Sequence, residues 1–147
     1  HDCLGTGTEA YQVTFGNPDF AFIAGRVKFV CLNTNAIEYD YSQPVPNFDF
    51  IKAEWTNRAD EFDRSVFCMH APPFSEQFNN NVAEPFNDYI HKLPQLMFCL
   101  DGHGHHIRIQ DLYDDGTIFY MTASAKERKY YIFTITPDDY SYEIIDF

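Results

Sequence analysis

Three short apolar runs constrain the fold of this chain more than any other feature of its sequence. They cover residues 26–33, 65–70 and 95–100, and turn-forming or charged residues bound each of them. Runs of this length are typical of strands that are buried on both faces, as in a parallel sheet with a layer on either side. Apolar residues recur every three or four positions between the runs, which predicts amphipathic helices. The sequence therefore predicts alternating strands and helices in its first two thirds.

Two segments carry the helical pattern. The first has Asn47 as a candidate N-cap, and its apolar stripe consists of Phe48, Ile51, Trp55, Ala59 and Phe62. The stripe of the second consists of Val82, Phe86, Tyr89, Ile90 and Leu93. Both helices are expected to pack one face on the sheet.

The remaining strands are predicted from alternation and turn residues. We expect strands at residues 11–15 and 19–24, and then four consecutive strands at residues 106–110, 117–122, 129–136 and 140–146. Turns are predicted at residues 114–116 and 136–139. No linker or repeat divides the chain, so the prediction is a single domain over residues 1–147, of α/β class with an added antiparallel section.

The charge of the chain excludes some partners. Its 147 residues carry a formal net charge of −12, which would repel the phosphate backbone of duplex nucleic acid. The same charge would repel a phosphate substrate unless bound cations reverse the local field. The sequence contains no run of eighteen apolar residues, so it predicts neither a membrane span nor a membrane partner.

The four cysteines are expected to be reduced thiols. Cys31, Cys68 and Cys99 lie inside apolar runs, where free thiols behave as small hydrophobic side chains, and Cys3 lies near the start. No CxxC spacing indicates a cysteine zinc site. Reduced thiols favour a cytoplasmic location. The first five residues have neither the pattern of a signal peptide nor an initiator Met, so the chain is expected to be processed, trimmed or a fragment.

The candidate chemistry lies in the histidines. Three of them occur within residues 101–106, immediately after an apolar run, and His70 ends another apolar run. The carboxyl ends of parallel strands meet at one edge of a sheet, where the active sites of open α/β folds lie. His103 and His105 project to the same side of an extended chain. Because imidazole binds zinc, iron and related ions, His70, His103 and His105 are candidate metal ligands.

The other histidines have simpler interpretations. His91 falls at the edge of the second helical stripe and is interpreted as a solvated residue. His106 begins a predicted strand. Its position is equally compatible with a surface role and with a metal contact. Neither is included among the candidate ligands.

Three motifs resemble those of the calcineurin-like metallophosphoesterases. Gly102-His103-Gly104-His105 matches the last motif of that family, G-H-x-H. Residues 66–74 resemble the strand that carries the single His of the family, with the proline turn that follows it. His1-Asp2 resembles the end of the motif G-N-H-[D/E]. The resemblance implies the C-terminal half of a layered α/β/β/α sandwich with mixed sheets.

The resemblance also implies roles for individual residues. His70 and His103 would bind one divalent metal (Mn, Fe or Zn), and His105 would bind a second. His1 would contact the substrate phosphate and protonate the leaving group, and Asp2 would orient His1. The implied reaction is hydrolysis of phosphomonoesters or phosphodiesters, in which two ions about 3.5–4 Å apart activate water and neutralise charge.

The first two motifs of the family, D-x-H and G-D-x-x-D, do not precede the others here. These motifs supply several ligands to both metals. The resemblance therefore implies weak metal binding and little activity for this polypeptide alone, although the intact parent would be active. A sheet that lacks half of its strands exposes an edge, so either the missing N-terminal half or self-association is expected to cover it.

Two other classes of function are compatible with the sequence. The same missing ligands are compatible with a non-catalytic binding or interaction module that keeps the family fold. Alternatively, if His1 were a mature N-terminus, its amine and imidazole could bind copper, as in copper-dependent polysaccharide oxygenases. The copper hypothesis leaves residues 102–105 and the strand that ends in His70 without explanation.

Overall fold

A computed structural model describes residues 7–36 and 45–147 of the chain, without the side chains of residues 7 and 8. Regular structure follows the predicted alternation for most of its length. In chain order the elements are α1 (Gly7–Phe15), β1 (Phe20–Ala24), β2 (Val27–Leu32), α2 (Phe48–Glu54), β3 (Arg64–Met69), α3 (Ala83–Ile90), β4 (Leu96–Asp101), β5 (Arg108–Asp111), β6 (Ile118–Met121), β7 (Lys129–Ile135) and β8 (Tyr140–Asp146).

Six of the strands form one mixed sheet in the order β1-β2-β3-β4-β6-β5. The four central strands are parallel, and β1 and β5 pair antiparallel to them at the edges. In the middle of the sheet Val30 lies beside Phe67, and Phe67 lies beside Cys99. The prediction of an α/β fold is confirmed. Parallel pairing also brings the carboxyl ends of β2, β3, β4 and β6 to the same edge.

The sheet is covered on both faces, which explains the continuous apolar runs. On one face, Val30, Phe67 and Phe119 pack in a buried cluster with residues of α2 and α3, among them Ile51 and Phe86. The opposite face is covered by the β7–β8 hairpin, whose inner side chains pack on Val27, Val66, Phe98 and Tyr120. The described part of the chain thus has three layers. No helix in these layers is long and apolar enough to cross a bilayer.

Aromatic rings fill the interface between the sheet and the hairpin. Phe98 stacks on Phe133 with ring centroids 4.6 Å apart, and the Tyr120 and Tyr140 hydroxyls lie 3.0 Å apart. Offset aromatic contacts add stability beyond the area that they bury. The turn predicted at residues 136–139 joins β7 to β8, where the Thr136 amide donates to the Asp139 carbonyl at 2.8 Å.

The predicted strand at residues 11–15 is wrong, since these residues are the end of α1. Five alternating residues are too few to separate a strand from a helix, and residues 9 and 10 before them, Glu and Ala, favour a helix. The Thr14 hydroxyl donates to the Ala10 carbonyl at 2.8 Å, which is a helical contact. Val13 and Phe15 remain largely exposed on this helix.

The first predicted helix is shorter than its apolar stripe. Asn47 caps it as predicted, because its side-chain oxygen accepts from the Phe50 amide at 3.0 Å. The helix ends at Glu54, and Arg58 adopts a left-handed backbone with a φ of 56°. Phe62 is still buried in the core, but it lies in the irregular segment between the helix and β3.

A buried ion pair joins α2 to the sheet. Lys28 lies on the helical face of β2, and its ammonium is 2.7 Å from the Glu54 carboxylate and donates at 2.9 Å to the Glu54 carbonyl. It also donates to the Asn57 carbonyl and lies 4.4 Å from the centre of the Phe62 ring. The Lys28 side chain is only 2% exposed. The cation therefore holds the C-terminal end of α2, where the helix dipole favours positive charge.

We expect Lys28→Met to lower the free energy of unfolding by about 3–5 kcal/mol, because it leaves the Glu54 carboxylate buried without its cation. Urea denaturation measures the change. Lys52→Met, at an exposed position of α2, is the control and should change stability by less than about 0.5 kcal/mol. Adding Glu54→Met to Lys28→Met should recover most of the loss. Equal stability of Lys28→Met and wild type would contradict this account.

Candidate metal centre

Polar residues from three strand ends meet at the carboxyl edge of the sheet. Asn33 follows β2, His70 follows β3 and His103 follows β4. The Thr34 hydroxyl accepts from the Ala71 amide at 3.2 Å, which joins the ends of β2 and β3. This convergence follows from parallel pairing, as expected for the site of an open α/β sheet.

The backbone of His70 holds the loop after β4 in place. Its carbonyl accepts from the Gly102 amide at 3.2 Å and from the His103 amide at 3.0 Å. A Cβ atom added at Gly102 would lie 3.7 Å from the Nδ1 atom of His70, which is ordinary contact. The two segments that carry His70 and His103 are therefore joined by main-chain hydrogen bonds, and their side chains start from neighbouring positions.

The two imidazole rings are in contact and nearly perpendicular to each other. Nδ1 of His103 lies 3.4 Å from Nε2 of His70, and the ring centroids are 5.3 Å apart at an angle of 79°. Two imidazole nitrogens bound to one tetrahedral ion at about 2.0–2.1 Å are themselves separated by about 3.4 Å. The spacing of the two nitrogens thus fits a pair of ligands to one metal ion.

Glu76 orients the His103 ring. Its carboxylate lies 2.8 Å from Nε2 of His103, the ring nitrogen opposite the one that faces His70. The hydrogen bond from His103 holds the pKa of Glu76 below its usual range. A carboxylate that accepts from one ring nitrogen fixes the tautomer of the imidazole, so that the other nitrogen carries the lone pair, and metal-binding histidines are commonly held in this way. The His103 side chain is 12% exposed, so its orientation is well restrained.

His105 belongs to the same loop. Its amide donates to the Gly102 carbonyl at 3.2 Å, its carbonyl accepts from the Ser124 amide at 3.0 Å, and its backbone is left-handed with a φ of 60°. Gly104, just before it, packs so closely on the buried Met121 side chain that a Cβ atom there would overlap the sulfur. The exposed His106 places Nδ1 2.6 Å from the Gly104 carbonyl, in agreement with a surface role.

The structure brings together some, but not all, of the predicted site. His70 and His103 meet, and His105 lies in the same loop as His103. His1 and Asp2 lie outside the described residues. Within residues 7–36 and 45–147, no group of three or more His, Cys, Asp or Glu side chains is arranged to hold a metal ion. The described donors therefore fit a metal as a pair and do not complete a ligand set.

Asp101 is a buried carboxyl beside the pair. It is 5% exposed, and its Oδ1 atom has no hydrogen-bond partner within residues 7–36 and 45–147. Burial raises the pKa of Asp101 to about 7, against the opposing effects of Arg108 and His103. Asp101-Gly102-His103 is itself an Asp-x-His triplet, but it overlaps the last motif and does not replace the first one.

Two cavities adjoin the histidine pair. One of about 190 Å³ is lined by His70, Tyr11, Leu32 and Asn33. The other, of about 420 Å³, is lined by His103, Glu76 and Arg108. Arg108 is exposed there, and a guanidinium is well suited to the oxygens of a phosphate group. The pair therefore lies between an apolar cavity and a more polar one.

Sequence reasoning missed two side chains of this site. Glu76 lies in the loop after the proline turn, where the sequence carries no periodic pattern that would indicate its direction. Asp101 immediately precedes the Gly-His motif and could have been noticed as the last residue of an apolar run. The interpretation of His91 as a solvated residue is confirmed, since it is exposed at the C-terminal end of α3, where its Nε2 atom lies 2.9 Å from the Thr117 hydroxyl.

No protein-family model and no curated protein matches the chain. Its function must therefore be argued from its own side chains and motifs.

The buried Asp101 predicts a decline in stability with pH in the absence of metal. Because its folded pKa lies near 7 and its ordinary value is 3.8, the folded state holds a proton that the unfolded state loses first. Stability should fall between about pH 4 and pH 7, by as much as about 4 kcal/mol, and then level off.

Asp101→Asn removes this titration, so the variant should be more stable than wild type at pH 8 and similar to it at pH 4. The test is urea denaturation in the presence of a chelator at both values. Asp88→Asn, at an exposed position of α3, removes the same formal charge and should leave the decline unchanged. A decline that persists in Asp101→Asn would show that another group causes it.

Proposed function

We propose that this chain contributes the C-terminal half of a metal-dependent phosphoesterase domain, which hydrolyses phosphomonoesters or phosphodiesters. The observation that carries the proposal is the separation of 3.4 Å between Nδ1 of His103 and Nε2 of His70. The two residues follow adjacent strands, at the edge of the sheet where α/β enzymes bind their ligands.

The donor set supports a divalent metal rather than another ligand. Glu76 contacts Nε2 of His103, and Nδ1 of the same ring is directed towards His70. A carboxylate on the outer nitrogen is the arrangement found around metal-binding imidazoles. Nitrogen donors of this kind accept manganese, iron or zinc. In the proposal His70 and His103 hold one ion and His105 a second, and the remaining ligands come from outside the described residues.

The charge of the chain supports the combination of a metal with a phosphate substrate. A formal net charge of −12 would repel phosphate, and cations at the site would reverse that field. Bound divalent metals would supply activation of water and neutralise charge on the phosphate. Arg108 lines the cavity beside His103, and in the proposal its guanidinium contacts a phosphate oxygen.

In this proposal His1 donates a proton to the leaving group and Asp2 orients its ring. An imidazole held by a carboxylate is suited to general acid catalysis near neutral pH. The roles come from the resemblance of His1-Asp2 to the third family motif.

The layered sandwich and its completion are part of the same proposal. The β7–β8 hairpin forms a two-stranded sheet on the six-stranded one, and a two-stranded sheet is rarely stable by itself. Tyr142 and Ile144 of β8 are about 40% exposed, as expected if further strands continued that sheet. We propose that an N-terminal half, or a second copy of the chain, supplies them.

One observation favours the alternative of a non-catalytic module. No group of three metal-binding side chains occurs within residues 7–36 and 45–147. A domain that kept this fold and used the cavities only for binding would need no complete ligand set. The alternative predicts a chain without hydrolytic activity even when the remaining motifs are supplied.

Metal titration tests the proposed histidine pair. We expect Co²⁺ to bind weakly to the wild-type chain, with a visible spectrum that includes nitrogen ligands, and His70→Ala and His103→Ala to abolish that signal. Glu76→Gln should weaken binding by about tenfold, since it removes the charge that orients His103. His91→Ala, on the side of α3, is the matched control and should bind as wild type. Unchanged binding in both His70→Ala and His103→Ala would refute the pair.

Turnover assays separate the phosphoesterase from the binding module. With Mn²⁺ added, the chain alone is expected to hydrolyse an aryl phosphodiester little faster than the metal does. If an upstream segment of the natural protein carries the missing motifs, co-expression with that segment should restore turnover that His103→Ala removes. Metal binding without turnover in the completed protein would favour the non-catalytic module.

A further inference from the structure

Two cysteines on neighbouring strands are direct partners in the sheet. Cys31 of β2 lies opposite Cys68 of β3 in the parallel register. Neighbouring strands are about 4.8 Å apart, and disulfides join Cα atoms that are about 4.4–6.8 Å apart. Because paired residues of adjacent strands project to the same face, the two thiols lie side by side.

This thiol pair is accessible, unlike the third described cysteine. Cys31 and Cys68 are both partly exposed, whereas Cys99 is fully buried. Cys68 borders the cluster beneath the β7–β8 hairpin, and Cys99 belongs to the core on the opposite, helical face. Small reagents can therefore reach the first two thiols, but not the third.

The two thiols contact each other. A hydrogen bond joins the Cys31 thiol to the Cys68 thiol. The sulfur of one is therefore within reach of the sulfur of the other, as formation of a disulfide within the pair requires.

We propose that Cys31 and Cys68 form a redox-active dithiol, in which one thiol exchanges with small disulfides and the other resolves the adduct as an intramolecular disulfide. This inference is independent of the proposed phosphoesterase function.

The exchange takes place in two steps. The thiolate of either cysteine attacks one sulfur of a small disulfide such as oxidised glutathione, forms a mixed disulfide and releases one glutathione thiolate. The other thiol then loses its proton, and its sulfur attacks the protein sulfur of the mixed disulfide. The second glutathione leaves as a thiolate and is protonated. The two protein thiols are oxidised, and the small disulfide is reduced to two thiols.

The bond would join strands that lead directly into the histidine site. Cys31 precedes Asn33 by two residues, and Cys68 precedes His70 by two residues. A covalent link between β2 and β3 would therefore restrain the edge of the sheet where the cavities lie. The dithiol and the polar residues of the site are therefore carried by the same two strands, β2 and β3.

The test uses the full chain with Cys3→Ser, since Cys3 lies outside the described residues. The protein is incubated with oxidised glutathione, residual thiols are blocked, and the intact mass and peptides are measured. The expected product has lost two hydrogens and yields one linked pair of peptides, which contain Cys31 and Cys68. Dithiothreitol should restore both thiols.

Single variants in the same background test the resolving step. Cys68→Ser and Cys31→Ser should each accumulate a stable glutathione adduct on the remaining cysteine of the pair, because neither has a second thiol to displace the glutathione. Cys99→Ala is the matched control and should form the same linked peptides as wild type. Circular dichroism of each variant establishes that it is folded.

Two outcomes would overturn the proposal. The first is a glutathione adduct that never resolves in the protein with both thiols, and the second is a pair of linked peptides that contains Cys99.

Discussion

The parallel alignment of β2, β3 and β4 is the constraint on which the rest of the structure depends. Main-chain hydrogen bonds hold these strands in register, so residues far apart in sequence become neighbours at equivalent positions. The alignment places His70 beside the loop that carries His103, and it places Cys31 beside Cys68. The histidine pair and the thiol pair are thus two consequences of one register. A shift of that register by one residue would separate both pairs and turn each side chain to the other face.

Two buried ionisable groups illustrate different electrostatic environments in the same sheet. Lys28 is buried with its counter-ion Glu54 and with carbonyl oxygens, so its charge stabilises the packing of α2. Asp101 is buried, and its Oδ1 atom has no hydrogen-bond partner among the described residues. Burial disfavours its charged form. The first arrangement belongs to the fold. The second lies beside the candidate metal site, and perturbed acids of this kind are typical of functional sites.

The sequence predicted the central sheet well because burial on both faces leaves a simple mark. Continuous apolar runs identified β2, β3 and β4, and turn residues located the hairpin between β7 and β8. Prediction failed where the pattern was short or where the chain turned. Residues 11–15 alternate and are helical, and the stripe after Phe48 outlasts its helix because Arg58 takes a left-handed backbone. Periodicity describes which side chains are buried, and it does not specify the backbone between them.

By itself, the sequence determined the class of fold and the residues that can carry chemistry. The apolar runs dictate buried strands, and the histidines at the ends of two runs must lie at one edge if those strands are parallel. Only the tertiary structure decided how the side chains meet. It paired Nδ1 of His103 with Nε2 of His70, assigned Glu76 to the other nitrogen of His103, and buried Asp101 without a full set of partners. These contacts depend on loop paths and ring orientations, and loops without periodicity leave no local pattern from which such geometry can be inferred.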